Sequence, residues 1–222
     1  MKRSAKFSAT IIVGLFLASA PLAAQSNVPS MVGKWKNRSS VNVFFDSQAP
    51  SNCSVELFRA AQEWNALPIS FKLNGADSYY QSDAPPYISQ VWRPDFIDVL
   101  SSNTTGFNYM GYTMKASNTG FADRIFSSSD KTNIIDAQIY ENYQYFYYST
   151  GASPANKFDC DRSDGITGND YRAHIKHEIG HAIGLNHYPK DVANSHCLMF
   201  PNSSYKPYRD FCNGEVYSAS AA

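Results

Sequence analysis

Along the first third of the chain, apolar residues recur first with the spacing of a strand, then with that of a helix, and then again with that of a strand. Residues 41–45 have the composition of a strand, and residues 69–73 alternate apolar and polar side chains as a half-buried strand does. Between them, apolar residues recur at helical spacing over residues 53–66, and Pro68, which cannot continue a helix, comes next. The pattern predicts a strand, an amphipathic helix and a second strand in succession.

The central part of the chain predicts further strands that are separated by loops. Residues 96–100 and 134–140 are rich in the β-branched residues typical of strands, and another strand is predicted within residues 107–115. Residues 74–94 hold Gly, Pro, Asp and Ser and are predicted as a loop. Residues 143–148 are almost wholly aromatic, and they fit either a strand or a loop beside a cleft.

Residues 170–187 predict a second helix, which Asn169 or Asp170 can cap. Apolar residues recur at helical spacing on one side of it: Ile175, Ile179, Ala182 and Ile183. The other side carries titratable side chains: His174, His177, Glu178 and His181. Gly184 adopts a positive φ without a side-chain penalty, so the helix is predicted to end there and the chain to turn.

The composition changes this picture little. The 222 residues are 43% hydrophobic and 17% charged, which is ordinary for a globular protein. There are 19 basic and 19 acidic residues, so the formal net charge is zero. Nothing in this balance indicates a nucleic acid or an anionic membrane as partner, and a monomer is the default expectation.

The N-terminal residues have the pattern of an export signal. Lys2 and Arg3 provide positive charge, and residues 11–18 form a short apolar run. Small residues follow up to Ala24, as a signal peptidase requires. We therefore predict a signal peptide at residues 1–24 and a secreted protein, extracellular or periplasmic. An uncleaved N-terminal anchor is the alternative, although the apolar run is short for a membrane span.

Four cysteines follow the predicted signal: Cys53, Cys160, Cys197 and Cys212. An even number of cysteines in an exported protein predicts disulfide bonds, here two. The sequence leaves all the pairings open. A metal site built on cysteine is the alternative, but the chain has no C-x-x-C pair.

Acidic residues cluster between Asp159 and Asp170, around Gly165 and Gly168. Their spacing does not match the alternate ligand positions of an EF-hand loop. We predict a solvated turn here, and a Ca²⁺ site is the alternative.

The strongest chemical signal is the spacing of histidines on the second helix. His177 and His181 are one helical turn apart, so their imidazoles face the same point and can bind one Zn²⁺. Glu178 lies about 100° around the helix from His177, where its carboxylate can reach a water on the metal. After the bend at Gly184, His187 can return as a third ligand. The spacing H-E-x-x-H-x-x-G-x-x-H predicts a tripod of zinc ligands with one open position.

Chance does not account for this spacing. In a chain with this content of His, Glu and Gly, the full pattern has odds of roughly two in a million. His174 and His196 have no place in the pattern, and both are predicted not to bind the metal.

Residues 177–187 resemble the zinc motif of the metzincin metallopeptidases. Residues 197–201, Cys-Leu-Met-Phe-Pro, are similar to the methionine-containing turn that matrixins carry beneath the metal. The resemblance implies that Met199 forms a soft apolar floor under the imidazoles. Pro201 is a departure, because astacin-like and serralysin-like members have a tyrosine at that position.

The resemblance also implies a fold. A matrixin-like catalytic domain is α+β, with a twisted, mostly parallel five-stranded sheet, an antiparallel edge strand, an active-site helix and the methionine turn. Residues 25–222 would form this one metalloprotease domain. Residues 109–115 would lie on the edge strand that pairs with substrate, and residues 211–220 would form the closing helix.

The expected function is hydrolysis of peptide bonds in protein substrates by a secreted zinc endopeptidase. One catalytic Zn²⁺ would be bound by His177, His181 and His187, and Glu178 would act as the general base. Two alternatives remain open. The same site could hydrolyse a non-peptide amide, or the chain could be a zinc-containing binding protein without turnover.

Overall fold

The protein has an α+β fold built on a mostly parallel sheet, as a computed structural model shows. The structure describes residues 28–39, 41–46, 51–79, 95–102, 108–109, 112–113, 119–142, 146–147, 158–160, 169–189, 195–201 and 211–220. The predicted signal peptide at residues 1–24 lies outside these residues.

Eleven strands and three helices follow one another along these residues. They are β1 (Lys34–Trp35), β2 (Val41–Asp46), α1 (Ser51–Ala66), β3 (Leu73–Tyr79), β4 (Phe96–Ser102), β5 (Asn108–Tyr109), β6 (Tyr112–Thr113), β7 (Gly120–Phe126), β8 (Asn133–Asn142), β9 (Phe146–Tyr147), β10 (Phe158–Asp159), β11 (Asn169–Asp170), α2 (Tyr171–Ala182) and α3 (Asn213–Ala219).

The main sheet has six strands. Five of them, in the spatial order β1-β8-β4-β2-β3, pair in parallel. The sixth, β7, lies antiparallel against β8. The parallel strands need crossover connections, and helix α1 provides the one between β2 and β3. The expected mostly parallel sheet is confirmed, with six strands instead of five because the short β1 joins it.

Several predicted elements are confirmed. The helix predicted at residues 53–66 is α1, which begins two residues earlier, at Ser51. The strands predicted at residues 41–45, 96–100 and 134–140 are β2, β4 and β8, each slightly longer than predicted. These segments combine strong apolar content with central positions in the sheet, so the local pattern and the tertiary fold agree.

The strand predicted at residues 69–73 was wrong, since β3 begins only at Leu73 and extends into the segment predicted as a loop. Ile69 and Phe71 are buried, so the alternation of the sequence reflects packing against the core. The backbone N–H of Ile69 donates to the carbonyl oxygen of Leu67 at 2.8 Å, in a turn that follows α1. Lys72 Nζ donates to the carbonyl oxygen of Asn65 at 2.9 Å, and the Asn65 side chain binds Leu73.

The edge strand predicted at residues 109–115 was also wrong. Strands β5 and β6 in that segment form a separate antiparallel pair. The antiparallel strand on the main sheet is β7, which was not predicted from the sequence. Asp123 and Arg124 lie in its middle and weaken the apolar pattern, although both are partly buried.

The acidic segment predicted as a solvated turn is buried at both ends. Asp159 and Asp170 are 0% and 2% exposed, and they lie opposite each other on β10 and β11. These strands form a second small sheet with β9, which holds part of the aromatic run at residues 143–148. Residues 161–168, which contain the rest of the acidic cluster, lie outside the described residues.

The cysteines form two disulfide bonds, as predicted. Cys53 bonds to Cys160, and Cys197 bonds to Cys212. Disulfides form and persist in oxidising compartments, which fits the predicted export. Within the described part of the chain, no helix has both the length and the apolar content to cross a membrane.

Helix α2 is fixed by its backbone as well as by its apolar side. Trp64 on α1 donates its indole N–H to the carbonyl oxygen of Lys176 at 3.0 Å. Trp35 on β1 donates in the same way to Ala182 at 3.1 Å. Glu63, also on α1, accepts a hydrogen bond from the buried Lys176 Nζ at 2.7 Å. These contacts set the position and rotation of α2.

Candidate metal centre

Helix α2 begins and ends where the sequence predicted. Asp170 is its N-cap, because its carboxylate accepts a hydrogen bond from the backbone N–H of Arg172 at 3.0 Å. The helix ends at Ala182, and Gly184 turns the chain with a φ of 113°. A Cβ atom at Gly184 would also lie 2.6 Å from the carbonyl oxygen of Gly33. Glycine is therefore required here by both conformation and space.

The segment after the bend is held against the N-terminal residues. The backbone N–H of Val32 donates to Gly184 O at 3.0 Å, and the backbone N–H of Asn186 donates to Ser30 O at 2.8 Å. Leu185 pairs with Met31 between these two bonds. This short antiparallel contact directs the next residue, His187, back towards helix α2.

The three predicted histidine ligands meet at one point. His187 Nε2 lies 3.1 Å from His177 Nε2 and 3.0 Å from His181 Nε2. Imidazole nitrogens bound to one zinc ion at about 2.0–2.1 Å would lie roughly 3.3 Å from one another in a tetrahedral site. The observed separations are close to that value.

Hydrogen bonds on the opposite side of the rings fix which nitrogen faces the centre. His177 Nδ1 lies 2.6 Å from the carbonyl oxygen of Leu198, and His181 Nδ1 lies 2.8 Å from that of Leu185. A carbonyl oxygen only accepts, so both Nδ1 atoms carry hydrogen and both Nε2 atoms present lone pairs. The single hydrogen of a neutral His187 can satisfy only one of them. A cation at the centre satisfies all the lone pairs at once, so the residues fit a metal ion.

Burial keeps the ligands in the neutral form that binds metal. Desolvation lowers the pKa of His177 well below its usual value, and the neighbouring His181 lowers it further. Burial likewise lowers the pKa of His181 to about 3, again reinforced by His187. Metals compete with protons for imidazole nitrogen, so at neutral pH these rings are ready to bind.

Glu178 lies beside the tripod in the same cleft. Its side chain is almost fully buried, and no described residue donates a hydrogen bond to its Oε2 atom. Burial raises the pKa of the carboxyl group to about 8. A cation bound by the three histidines would favour the ionised form. A carboxylate oxygen without a protein donor is suited to receive a hydrogen from water or from a substrate.

Met199 packs directly beneath this part of the helix. It is fully buried, and a Cβ atom at Gly180 would lie 2.4 Å from its sulfur. Only glycine therefore allows α2 to lie so close to the methionine. The buried carboxylate of Glu215 on α3 accepts hydrogen bonds from the backbone N–H groups of Met199 and Cys212. The helix predicted at residues 211–220 thus exists and supports the methionine turn.

An open cleft connects these groups with strand β7. The strand contributes Gly120, Phe121, Ala122 and Arg124 to one wall. Asn186 and Pro201 lie on the lining with the tripod and Glu178. Among the described residues, β7 pairs only with β8, so its second edge is open for pairing.

His174 occupies a different place from the other histidines of the helix. It is completely buried, with its Nε2 atom 3.7 Å from Glu141 and its Nδ1 atom 3.9 Å from Glu178. Burial lowers the pKa of His174 to about 3 and raises that of Glu141 to about 8. Tyr171 donates its hydroxyl to Glu141 at 2.6 Å. Glu141 was not predicted as part of this site. The four-residue spacing of His174 and Glu178 does predict their contact on one side of the helix.

The described residues contain one other group of close metal-ligating atoms, formed by His196, Cys197 and Cys212. Both sulfurs are joined in a disulfide bond. His196 is exposed, and its Nε2 atom lies 3.9 Å from Cys197 Sγ. Because both cysteines are in the disulfide, the imidazole of His196 is the only ordinary metal ligand among these three residues.

The structure therefore brings all the predicted site residues together: His177, His181, His187, Glu178 and Met199. No protein-family model matches the chain, and no curated protein sequence is significantly similar to it.

Proposed function

We propose that the protein is a secreted zinc-dependent endopeptidase of the metzincin type. The observation that carries the proposal is the convergence of three imidazole Nε2 atoms beside the buried, under-satisfied carboxylate of Glu178. His177, His181 and His187 would hold the zinc ion. When bound, zinc supplies Lewis acidity towards water and towards the carbonyl oxygen of a substrate.

The proton transfers of the reaction fall to Glu178. Its carboxylate takes a proton as water adds to the peptide carbonyl carbon and the new C–O bond forms. It then returns that proton to the amine as the C–N bond breaks. Because the side chain is nearly excluded from solvent, the proton stays beside the reacting atoms.

The open edge of β7 supports an extended peptide as substrate. Backbone N–H and C=O groups along this edge can add a substrate strand, which positions a peptide bond next to the tripod. A binding protein with a structural zinc site would need neither an open edge nor a carboxylate at this place, and structural zinc sites are usually closed by four protein ligands.

The resemblance to metzincins is supported by two structural features. The sharp bend at Gly184 returns His187 to the other two histidines, and Met199 lies beneath Gly180 of the helix. Pro201 remains a departure from the members that use a tyrosine there. A donor from that position is therefore not part of the proposed mechanism.

A peptide-library digest of the mature protein tests the proposal, with zinc content measured on the same samples. We expect cleavage of peptide backbones, loss of cleavage with a chelator and recovery with added zinc. Glu178→Gln should retain zinc and lose activity by about 10²–10⁴-fold, as expected for a general base. His196→Ala is the matched control and should behave like the parent.

Two results would overturn the proposal. Release of an acyl group without any cleaved backbone would identify an amidase that acts on non-peptide amides. Full zinc occupancy with no turnover of any library member would identify a zinc-containing binding protein.

A further inference from the structure

One charged side chain of the cleft has no part in the mechanism above. Arg124 lies on β7 and lines the cleft together with the tripod and Glu178. Among the described residues that line the cleft, it is the one that keeps a positive charge at every physiological pH. Its side chain is partly buried, so its charge is less well hydrated than that of a surface arginine.

The guanidinium is held in place by the end of helix α2. Arg124 Nη1 donates to the carbonyl oxygen of His181 at 3.0 Å. A guanidinium has five N–H donors, and this bond occupies only one of them. The group is therefore fixed beside a tripod residue and still has donors for a ligand.

Within the described residues no ion pair joins Arg124 to a carboxylate, whereas Glu56 and Glu63 pair with other cations. Burial lowers the pKa of Arg124, and the charge of Asp123 opposes only part of that shift. Asp123 is the adjacent acid, but it accepts the backbone N–H of Arg124 at 2.8 Å. Because side chains alternate along a strand, Asp123 and Arg124 point to opposite faces of the sheet.

Arg172 on helix α2 shows what a paired guanidinium looks like in this protein. Its guanidinium contacts the carboxylates of both Glu56 and Glu63. Burial of an unpaired charge is costly, and an incoming opposite charge recovers part of that cost. Arg124 therefore favours a ligand that brings its own carboxylate.

We propose that the cleft selects peptides with an aspartate or glutamate side chain on the N-terminal side of the scissile bond, which Arg124 binds. This inference rests on the proposed peptidase function. The free guanidinium donors can form charge-assisted hydrogen bonds to a carboxylate, in the two-pronged geometry that arginine provides.

The direction of the substrate follows from the direction of β7. The strand runs from Gly120, where a Cβ atom would lie 2.9 Å from His174 Nε2, to Arg124, which donates to the carbonyl oxygen of His181. His174 in turn lies 3.9 Å from Glu178. Antiparallel pairing is the more stable arrangement of two strands. A substrate antiparallel to β7 places its N-terminal residues at the Arg124 end, before the peptide bond that reaches Glu178.

Pairs of fluorogenic peptides test the proposal, each pair differing only by Glu or Gln at one position. We expect the parent to prefer the Glu peptide by about tenfold or more in kcat/KM, mainly through KM, as a hydrogen bond to a charged group implies. The preference should occur only at positions before the scissile bond.

Three variants separate charge from structure. Arg124→Gln keeps a donor for the carbonyl of His181 but removes the charge, so the preference should fall to about one. Arg124→Lys should retain part of it. Arg59→Gln, on the exposed side of α1, is the control and should keep the full preference. Because each preference is a ratio within one protein, a general loss of activity does not change it.

Binding provides a readout without turnover. The Glu178→Gln variant should bind the Glu peptide more tightly than the Gln peptide in fluorescence anisotropy, and the difference should shrink as salt screens the charges. Adding Arg124→Gln should abolish the difference. Equal binding of the two peptides, or a preference that survives Arg124→Gln or appears only after the scissile bond, would overturn the proposal. An absence of all cleavage would instead contradict the peptidase function, and the binding comparison would still decide the role of Arg124.

Discussion

The described residues bring three metal-ligating atoms together at two places, and the two places differ in what those atoms can do. In the tripod, backbone carbonyls fix the outer nitrogens of His177 and His181, so lone pairs face the centre. At the second place, the sulfurs of Cys197 and Cys212 are bonded to each other. Proximity alone therefore does not make a metal site, because the ligand atoms must also carry lone pairs that point to a common centre.

The region around Cys197 and Cys212 supports the histidine tripod. The Cys197–Cys212 disulfide and the carboxylate of Glu215 join helix α3 to the turn that carries Met199. That turn also supplies the carbonyl of Leu198, which orients His177. We therefore interpret the histidine tripod as the metal centre. The segment around the Cys197–Cys212 disulfide is its structural support, which we call the brace. This division of roles can be tested.

The largest expected effect is on metal affinity. His181→Ala removes one of the three donors. Loss of a residue that only hydrogen-bonds to a metal ligand weakens metal binding by roughly 10–100-fold, and loss of a ligand itself should weaken zinc binding by more than this. His196→Ala should leave both affinity and stoichiometry unchanged. Equilibrium dialysis with zinc analysis measures both variants. If His196→Ala loses zinc while His181→Ala keeps it, the roles of the two regions are reversed.

Removal of the brace should affect stability more than metal binding. The disulfide closes a loop with a sequence separation of 15 residues. Replacing Cys197 and Cys212 together by serine should lower the free energy of unfolding by about 3 kcal/mol, because the unfolded chain regains that freedom. Urea denaturation measures the loss. The folded variant should still bind one zinc ion, and a folded variant that binds none would contradict the division.

The packing between the two regions should show a smaller, coupled effect. Gly180→Ala places a methyl group within 2.4 Å of the Met199 sulfur and should cost about 1–3 kcal/mol through overpacking. Met199→Ala removes the clashing atoms, so the double variant should lose less stability than the sum of the single variants. The free energies of unfolding of the single and double variants can be measured by thermal or urea denaturation. Additive losses would mean that the two residues are not energetically coupled.

The smallest effect concerns the pH dependence of the metal-free protein. The folded pKa of His174 is about 3, below its ordinary value of 6.5, so the unfolded chain binds the extra proton between these pH values. The contribution of His174 to stability should therefore fall as pH falls below about 6.5, whereas the raised pKa of the neighbouring Glu141 contributes in the opposite direction. His174→Phe should flatten this slope by up to about 1.4 kcal/mol per pH unit, the contribution of one proton. An unchanged slope in urea titrations from pH 6 to 4 would show that His174 is not a buried neutral ring.

The parts of the molecule that the sequence predicted are those fixed by local spacing. Helix α2, its cap at Asp170 and the bend at Gly184 follow from periodicity and from the freedom of glycine. The return of His187 also depends on the backbone contact with residues 30–32, which was not predicted from the sequence. Strand β7 was missed because Asp123 and Arg124 interrupt its apolar pattern. The partners of an edge strand are set by tertiary packing, which local periodicity does not report.

The burial of His174 was missed for a related reason. A helical period places it beside the ligands, but whether that side faces solvent or another strand depends on how close β7 comes. Gly120 permits that approach, because a Cβ atom there would lie 2.9 Å from His174 Nε2. The pairing of the cysteines was likewise undetermined until distant parts of the chain were placed together.

X-ray absorption at the zinc edge of the oxidised, zinc-loaded protein tests the central claim most directly. The account predicts imidazole nitrogen neighbours from three histidines at about 2.0–2.1 Å and no sulfur neighbour. A sulfur neighbour at about 2.3 Å, or fewer than three imidazoles around the ion, would contradict it.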